Sequence, residues 1–151
     1  TLENIISHEN IQEYVDIRDK VDYKDIPKII EQCDVGIIPL PDNEWWRPSS
    51  PLKLLEYLAM GKPVILTNIV AHREILGNNQ CGFFTSSENP EAIAEQILIA
   101  YSLKDSLPKI GIQGRKIVED KFTWEKQANQ LIKYFKIILK KNENISRKSK
   151  L

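Results

Sequence analysis

The sequence predicts an α/β domain built on a parallel β-sheet with helices on both faces. Three observations carry that expectation. Asp34-Val-Gly-Ile-Ile-Pro-Leu40 and Pro63-Val-Ile-Leu-Thr67 are near-continuous apolar runs, as expected of strands buried on both faces of a parallel sheet. Segments with apolar residues at helical spacing lie between and after them. Strand and helix signals alternate along the chain, which is how a layered parallel sheet is written.

Val15 and Ile17 alternate with Asp16 and Arg18, a short strand signal. Asp25 to Cys33 reads as a helix, with Ile26, Ile29 and Ile30 on one face and Pro27 near its start. After the first buried run comes a polar and aromatic loop, Pro41 to Ser49. Ser50 to Met60 is the next helix, closed by Gly61 as a left-handed cap with Pro63 just beyond. Ala71–Leu76 makes a short helix and Gly82–Phe84 a short strand. Three helices finish the chain: Pro90–Leu103, Leu107–Lys121 and Trp124–Leu139. Asn89-Pro90-Glu91 and Thr123-Trp124-Glu125 are ordinary helix starts, each a capping residue with an acid in the first turn.

A doubly wound sheet normally opens with a strand and helix, but this chain opens on the polar segment Thr1–Asn10. The first strand-helix unit is therefore expected to be missing. Position 1 is Thr, and Met60 is the sole methionine, which suggests an excised fragment. The domain is placed at residues 1–139, truncated at its N-terminus. Residues 140–151, KKNENISRKSKL, read as a flexible basic tail. The simple account of that tail is a solvated terminus; loose attraction to an anionic membrane is the sharper one.

Composition narrows the function classes. With 42% hydrophobic residues in 151, the chain suits one domain with one core. Lys and Arg number 21, as do Asp and Glu, and this balance argues against nucleic acid as a partner. Cys33 and Cys81 lie near apolar residues without metal-ligand spacing, so two buried thiols of a cytosolic domain are expected. No apolar run is long enough to span a bilayer and the start is not a signal peptide.

The most informative stretch is Ser49-Ser-Pro-Leu-Lys-Leu-Leu-Glu-Tyr-Leu-Ala-Met-Gly-Lys-Pro63. Ser50 can cap this helix and Pro51 fits its first position. The first turn then holds Leu52 and Lys53 and no acid, unlike the starts at Asn89 and Thr123. Free backbone N–H groups, serine hydroxyls and one cation together make an anion site. Glu56 lies roughly 6 Å further along and on the face of Leu52, being four residues on. Phosphate oxygens and ribose hydroxyls of a nucleotide are separated by a comparable length. A carboxylate suits ribose because it only accepts, and its charge shortens the bonds. The helix follows a buried strand, which puts its start at the carboxyl edge of the sheet. The plainer reading makes Lys53 and Glu56 a surface ion pair and Leu52, Leu55 and Ala59 core contacts.

At this stretch the sequence resembles the C-terminal domain of the retaining glycosyltransferases of family 4, also called glycosyl transferases group 1. Ser50-Pro-Leu-Lys-Leu-Leu-Glu-Tyr57 is similar to the family segment around its Glu-x7-Glu motif. The likeness runs from about position 15 to 139. It takes in Val21–Pro27, Cys33–Pro39, Arg73–Gly77, Cys81–Phe84, Pro90–Ala94 and Phe122–Glu125. The resemblance implies the Rossmann-like C-terminal half of a GT-B fold, with a closing helical segment that packs across the cleft in intact enzymes. It implies a nucleotide-diphospho-sugar donor, UDP- or GDP-linked, and no metal or other cofactor. Glu56 falls where the family binds ribose. The N–H groups of Leu52 and Lys53, with Ser50, fall where it holds the diphosphate. The first motif glutamate is replaced by Pro48, and Ser49 or backbone would stand in for it. The acceptor, a glycan or lipid, would bind through a missing N-terminal domain, so the chain alone is expected to be inactive. A cytoplasmic location follows, with peripheral association at the inner face of the membrane.

Trp45, Trp46 and Arg47 precede the donor helix. Arg47 could reach phosphate and a Trp could stack on a pyranose, or the loop could fold onto its own domain. Arg18 and Lys20 read as a solvated pair, His72 as a capping or surface residue, and Trp124 as core. Two other functions fit less of the chain. A nucleotide-sugar epimerase would share the architecture but needs further acids and histidines. A receiver-like signalling module needs a carboxylate at the tip of the strand ending at Leu40.

Overall fold

The computed structural model describes residues 1–148 except Ser50, Asn79 and Gln80, and only the backbone of 142–148. Three strands, β1 (Gly36–Ile38), β2 (Val64–Thr67) and β3 (Gly82–Thr85), form one parallel sheet in chain order. Gly36 pairs with Val64 and Val64 with Gly82, and the register holds along each ladder. Seven α-helices accompany them among the described residues: α1 (Leu2–His8), α2 (Ile26–Glu31), α3 (Leu52–Ala59), α4 (Val70–Leu76), α5 (Pro90–Ser102), α6 (Leu107–Ile117) and α7 (Trp124–Lys148). A π-helical turn, Val118–Phe122, joins the last two.

Alternation along the strands sorts side chains to two faces. Ile38, Val64 and Leu66 pack with Leu54 and Leu58 of α3, Ile75 and Leu76 of α4, Cys81, and Ile117 of α6. Ile65 and Phe83 point the other way, toward Ala100 of α5 and Leu107. Both faces are therefore covered, as the apolar runs predicted. Only β2 is buried at every position. β1 is shorter than its apolar run, and Ile37 stays 42% exposed because α5 lies over β2 and β3 and leaves the β1 end of that face open. Burial pushes the Cys81 thiol up to about 11, whereas Cys33 is only half-buried.

The end of α3 shows why its sequence stops where it does. Gly61 adopts φ +67°, its N–H donates to the Leu58 carbonyl, and the Lys62 N–H reaches back to Tyr57. Those two bonds satisfy carbonyls that the helix would otherwise strand. Gly111 of α6 packs directly on this cap, so close that a Cβ there would sit 1.7 Å from the Gly61 carbonyl oxygen.

Several expectations are corrected. Val15 and Ile17 form no strand: no other strand among the described residues lies beside them to take their backbone bonds, and Arg18 bonds Asp16 instead. The polar opening segment carries α1, capped by Thr1. The expected irregular tail is helical as far as Lys148, because neither Gly nor Pro interrupts the helix after Trp124. Trp124, expected in the core, is 87% exposed, since it opens a helix that turns away from the sheet. His72, expected at the surface, is fully buried beneath α4 among Ala71, Ile75 and Leu76.

Candidate functional site

The carboxyl ends of the strands lead into the loop after Leu40 and the start of α4, and that loop delivers the chain to α3. Asn43 shapes the loop: its Oδ1 accepts from the N–H groups of Trp45 and Trp46, at 3.1 and 3.2 Å. Arg47 Nε donates to Asp42 Oδ1 at 2.8 Å. The hydrogen bond from Arg47 holds the Asp42 carboxyl below the usual carboxylate range, and Asp42 raises Arg47 in return. Arg47 is thus charge-neutralised within its own loop. Trp45 is 86% exposed, so aromatic burial does not fold the loop down.

α3 begins with Pro51 in extended conformation at the cap, one residue later than the sequence suggested, and makes no side-chain capping bond. Ser50 lies outside the described residues, so its capping and phosphate roles do too. The amides of Leu52 and Lys53 precede the first helical bonds and point out of the helix start. The first turn holds no acid, as expected. Ser49 brings to the approach of this helix a buried Oγ that has no hydrogen-bond partner among the described residues.

Among the described residues, no ion pair or side-chain hydrogen bond engages Lys53 or Glu56, which removes the reading of a surface pair between them. Glu56, Ala59 and Met60 share one face of α3 and line a hollow of about 200 Å³. Its far wall is Tyr23, Ile26, Pro27 and Ile30, from the 3-10 turn Tyr23–Asp25 and α2. A free carboxylate beside an apolar slot, one turn from free amides and a lysine, can hold a ligand that is anionic at one end and flat and apolar at the other. The slot itself is not legible in the sequence, because Tyr23 and Ile26 meet Glu56 only through the fold.

A larger hollow, about 700 Å³, opens at the amino ends of the strands, between Val35, Pro63, Ile97 and Ile112. Its walls are apolar and its cations are engaged. Lys62 Nζ donates to the Glu31 carbonyl, Arg115 pairs with Glu119, and Lys104 lies over the Tyr101 ring. Its one acid is Asp34, and it meets α3 at Met60, at the opposite end from Lys53 and the helix start. No group of three His, Cys, Asp or Glu side chains is placed to hold a metal ion among the described residues.

Residues 1–102 match the family model described as glycosyl transferases group 1. The chain belongs to the group 1 glycosyl transferases. Among curated relatives of this group 1 domain, spore coat protein SA of Bacillus subtilis (strain 168) is 26% identical over 113 residues, covering 74% of this chain. A solved glycosyltransferase from Rickettsia africae ESF-5 superposes with TM-score 0.77 at 27% identity over 92% of the chain. Anabaena HepE, solved in complex with UDP, gives TM-score 0.72 at 18% identity over 89%, a likeness of fold. The group 1 chain spans 29% of the spore coat protein and 36% and 35% of the two solved chains. The observed α/β architecture is that of the C-terminal domain of GT-B glycosyltransferases. No helix among the described residues is long and apolar enough to cross a membrane.

Proposed function

We propose that this group 1 domain holds the nucleotide-diphospho-sugar donor of a sugar-transfer reaction. The observation that carries the reading is the unpartnered Glu56 side chain, set in the slot beside α2 and one turn from the acid-free start of α3. The diphosphate would meet the amides of Leu52 and Lys53, the Lys53 ammonium and the Ser49 hydroxyl. Ribose hydroxyls would donate to Glu56, and the base would lie against Tyr23 and Pro27. The helix start and Lys53 would also offset charge on the departing diphosphate, the electrostatic part of the reaction, without a metal. Arg47 would join them only by giving up Asp42.

Membership of the group 1 family supports hexosyl transfer with retention, and the UDP bound by HepE supports a uridine donor. The acceptor, a glycan or lipid, would be held outside these 151 residues. Calorimetric titration of the chain with UDP, GDP and ADP tests the donor site. One of them should bind, and Glu56→Ala should weaken it about tenfold or more, the usual loss for a hydrogen bond to a charged group. Undiminished affinity in Glu56→Ala would remove Glu56 from the site and the reading with it.

A further inference from the structure

Three polar side chains that the donor reading leaves unused are buried at the carboxyl end of the sheet: Thr67, His72 and Thr85. The Nδ1 atom of His72 lies 2.7 Å from the Thr67 carbonyl oxygen. A carbonyl can only accept, so Nδ1 carries the proton and donates, and Nε2 is left as a buried acceptor without a partner among the described residues. Thr67 closes β2, and its hydroxyl donates to the Leu40 carbonyl at 2.5 Å, across 27 positions of sequence. Leu40 lies two residues beyond β1, where the chain enters the Pro41–Ser49 loop. Two successive bonds therefore run from α4, through the end of β2, to the root of the loop that carries Ser49 and leads into α3.

Packing alone does not account for a histidine here. A leucine or phenylalanine would fill the same space beside Ile75 and Leu76 without stranding Nε2. What the imidazole supplies and an apolar side chain cannot is the N–H that fixes the Thr67 carbonyl, which also accepts the Ile69 N–H at 3.0 Å. With its carbonyl held from one side and its hydroxyl bound on the other, Thr67 sets the height of Leu40 above the sheet.

We infer that His72 is a positioning residue of the donor site, acting through Thr67 to fix the root of the Pro41–Ser49 loop and so the approach to α3. The effect on ligand binding rests on the donor reading; the relay itself is independent of it, and the test separates the two. Backbone amide NMR spectra of the 151-residue chain are compared for wild type, His72→Phe, Thr67→Val and His72→Asn. Thr67→Val removes one hydroxyl at nearly constant volume and carries the test if His72→Phe does not fold.

The two disruptive variants should move the amides of Leu40, Asp42–Arg47, Ser49, Leu52 and Lys53 in a common pattern. His72→Asn, whose side-chain amide can replace the Nδ1–H donor, should leave them near wild type. In titrations with UDP, GDP and ADP, whichever nucleotide wild type binds should be held about fivefold or more weakly by the disruptive variants, and nearly normally by His72→Asn. Shifts confined to residues 66–76, with the loop unmoved, would overturn the relay. So would His72→Asn spectra as disturbed as those of His72→Phe. If wild type binds none of the three nucleotides, the donor reading fails, and the loop amides still decide the relay.

Discussion

Buried and unable to share a second proton, the His72 imidazole couples the fold to pH. Desolvation holds it below its ordinary 6.5, and the Thr67 carbonyl opposes that shift only in part. Among the described residues no carboxylate or cation shifts it further. The unfolded chain therefore takes up the proton first. The stabilisation is complete above about pH 6.5 and declines as pH falls through that value toward the lower folded one. A thermal melting series from about pH 7.5 to about 5 should show the midpoint falling for wild type, with a shallower fall in His72→Asn. Parallel curves would mean that the ring takes up its proton alike in the folded and unfolded chain, without the downward shift that burial imposes. The acid-free start of α3 and the place of Glu56 one turn along could be read from sequence because a missing acid and a four-residue spacing are local facts. The burial of His72 could not, since it is made by what α4 lies on. For the same reason an indole at a helix start told nothing of its 87% exposure at Trp124.

At the scale of elements, the contact between α6 and the cap of α3 is the least forgiving in the domain. Gly61 must hold φ +67°, and Gly111 must lack a Cβ for α6 to reach it. Gly111→Ala should lift α6 from the cap and lower stability by about 1–3 kcal/mol or more, measured by urea unfolding. A loss under about 0.5 kcal/mol would show that the helices slide past each other freely. The cap was visible in the sequence as Gly61 followed by Pro63, whereas Gly111 was not, because its partner lies fifty residues away. Strand β2 announced itself through four consecutive apolar or β-branched residues. The pattern at Val15 and Ile17 was equally strand-like, but a strand exists only where another offers its bonds. α7 ran past its expected end because charge alone does not stop a helix.

For the molecule as a whole, charge is balanced in total and unevenly placed. α7 carries Lys126, Lys133, Lys136, Lys140 and Lys141 against Glu125 through position 141, in a chain whose net charge is zero. Leu131, Phe135 and Ile138 line another face of this helix, and all three are exposed. Apolar surface of that extent is seldom left in water. The isolated chain should therefore associate as its concentration rises, and Leu131→Ser with Phe135→Ser should shift it toward monomer in sedimentation velocity. A wild-type chain that stays monomeric at high concentration would show that the exposed stripe has no self-affinity. The order of the sheet bears on how the polypeptide acquires this shape. β1, β2 and β3 stand side by side in the order in which they are written. Each new strand therefore docks on the one made just before it, and β2, the most buried, gains its second flank when β3 arrives. During synthesis these strands can be added one at a time, with α3 closing over the first pair before β3 leaves the exit tunnel.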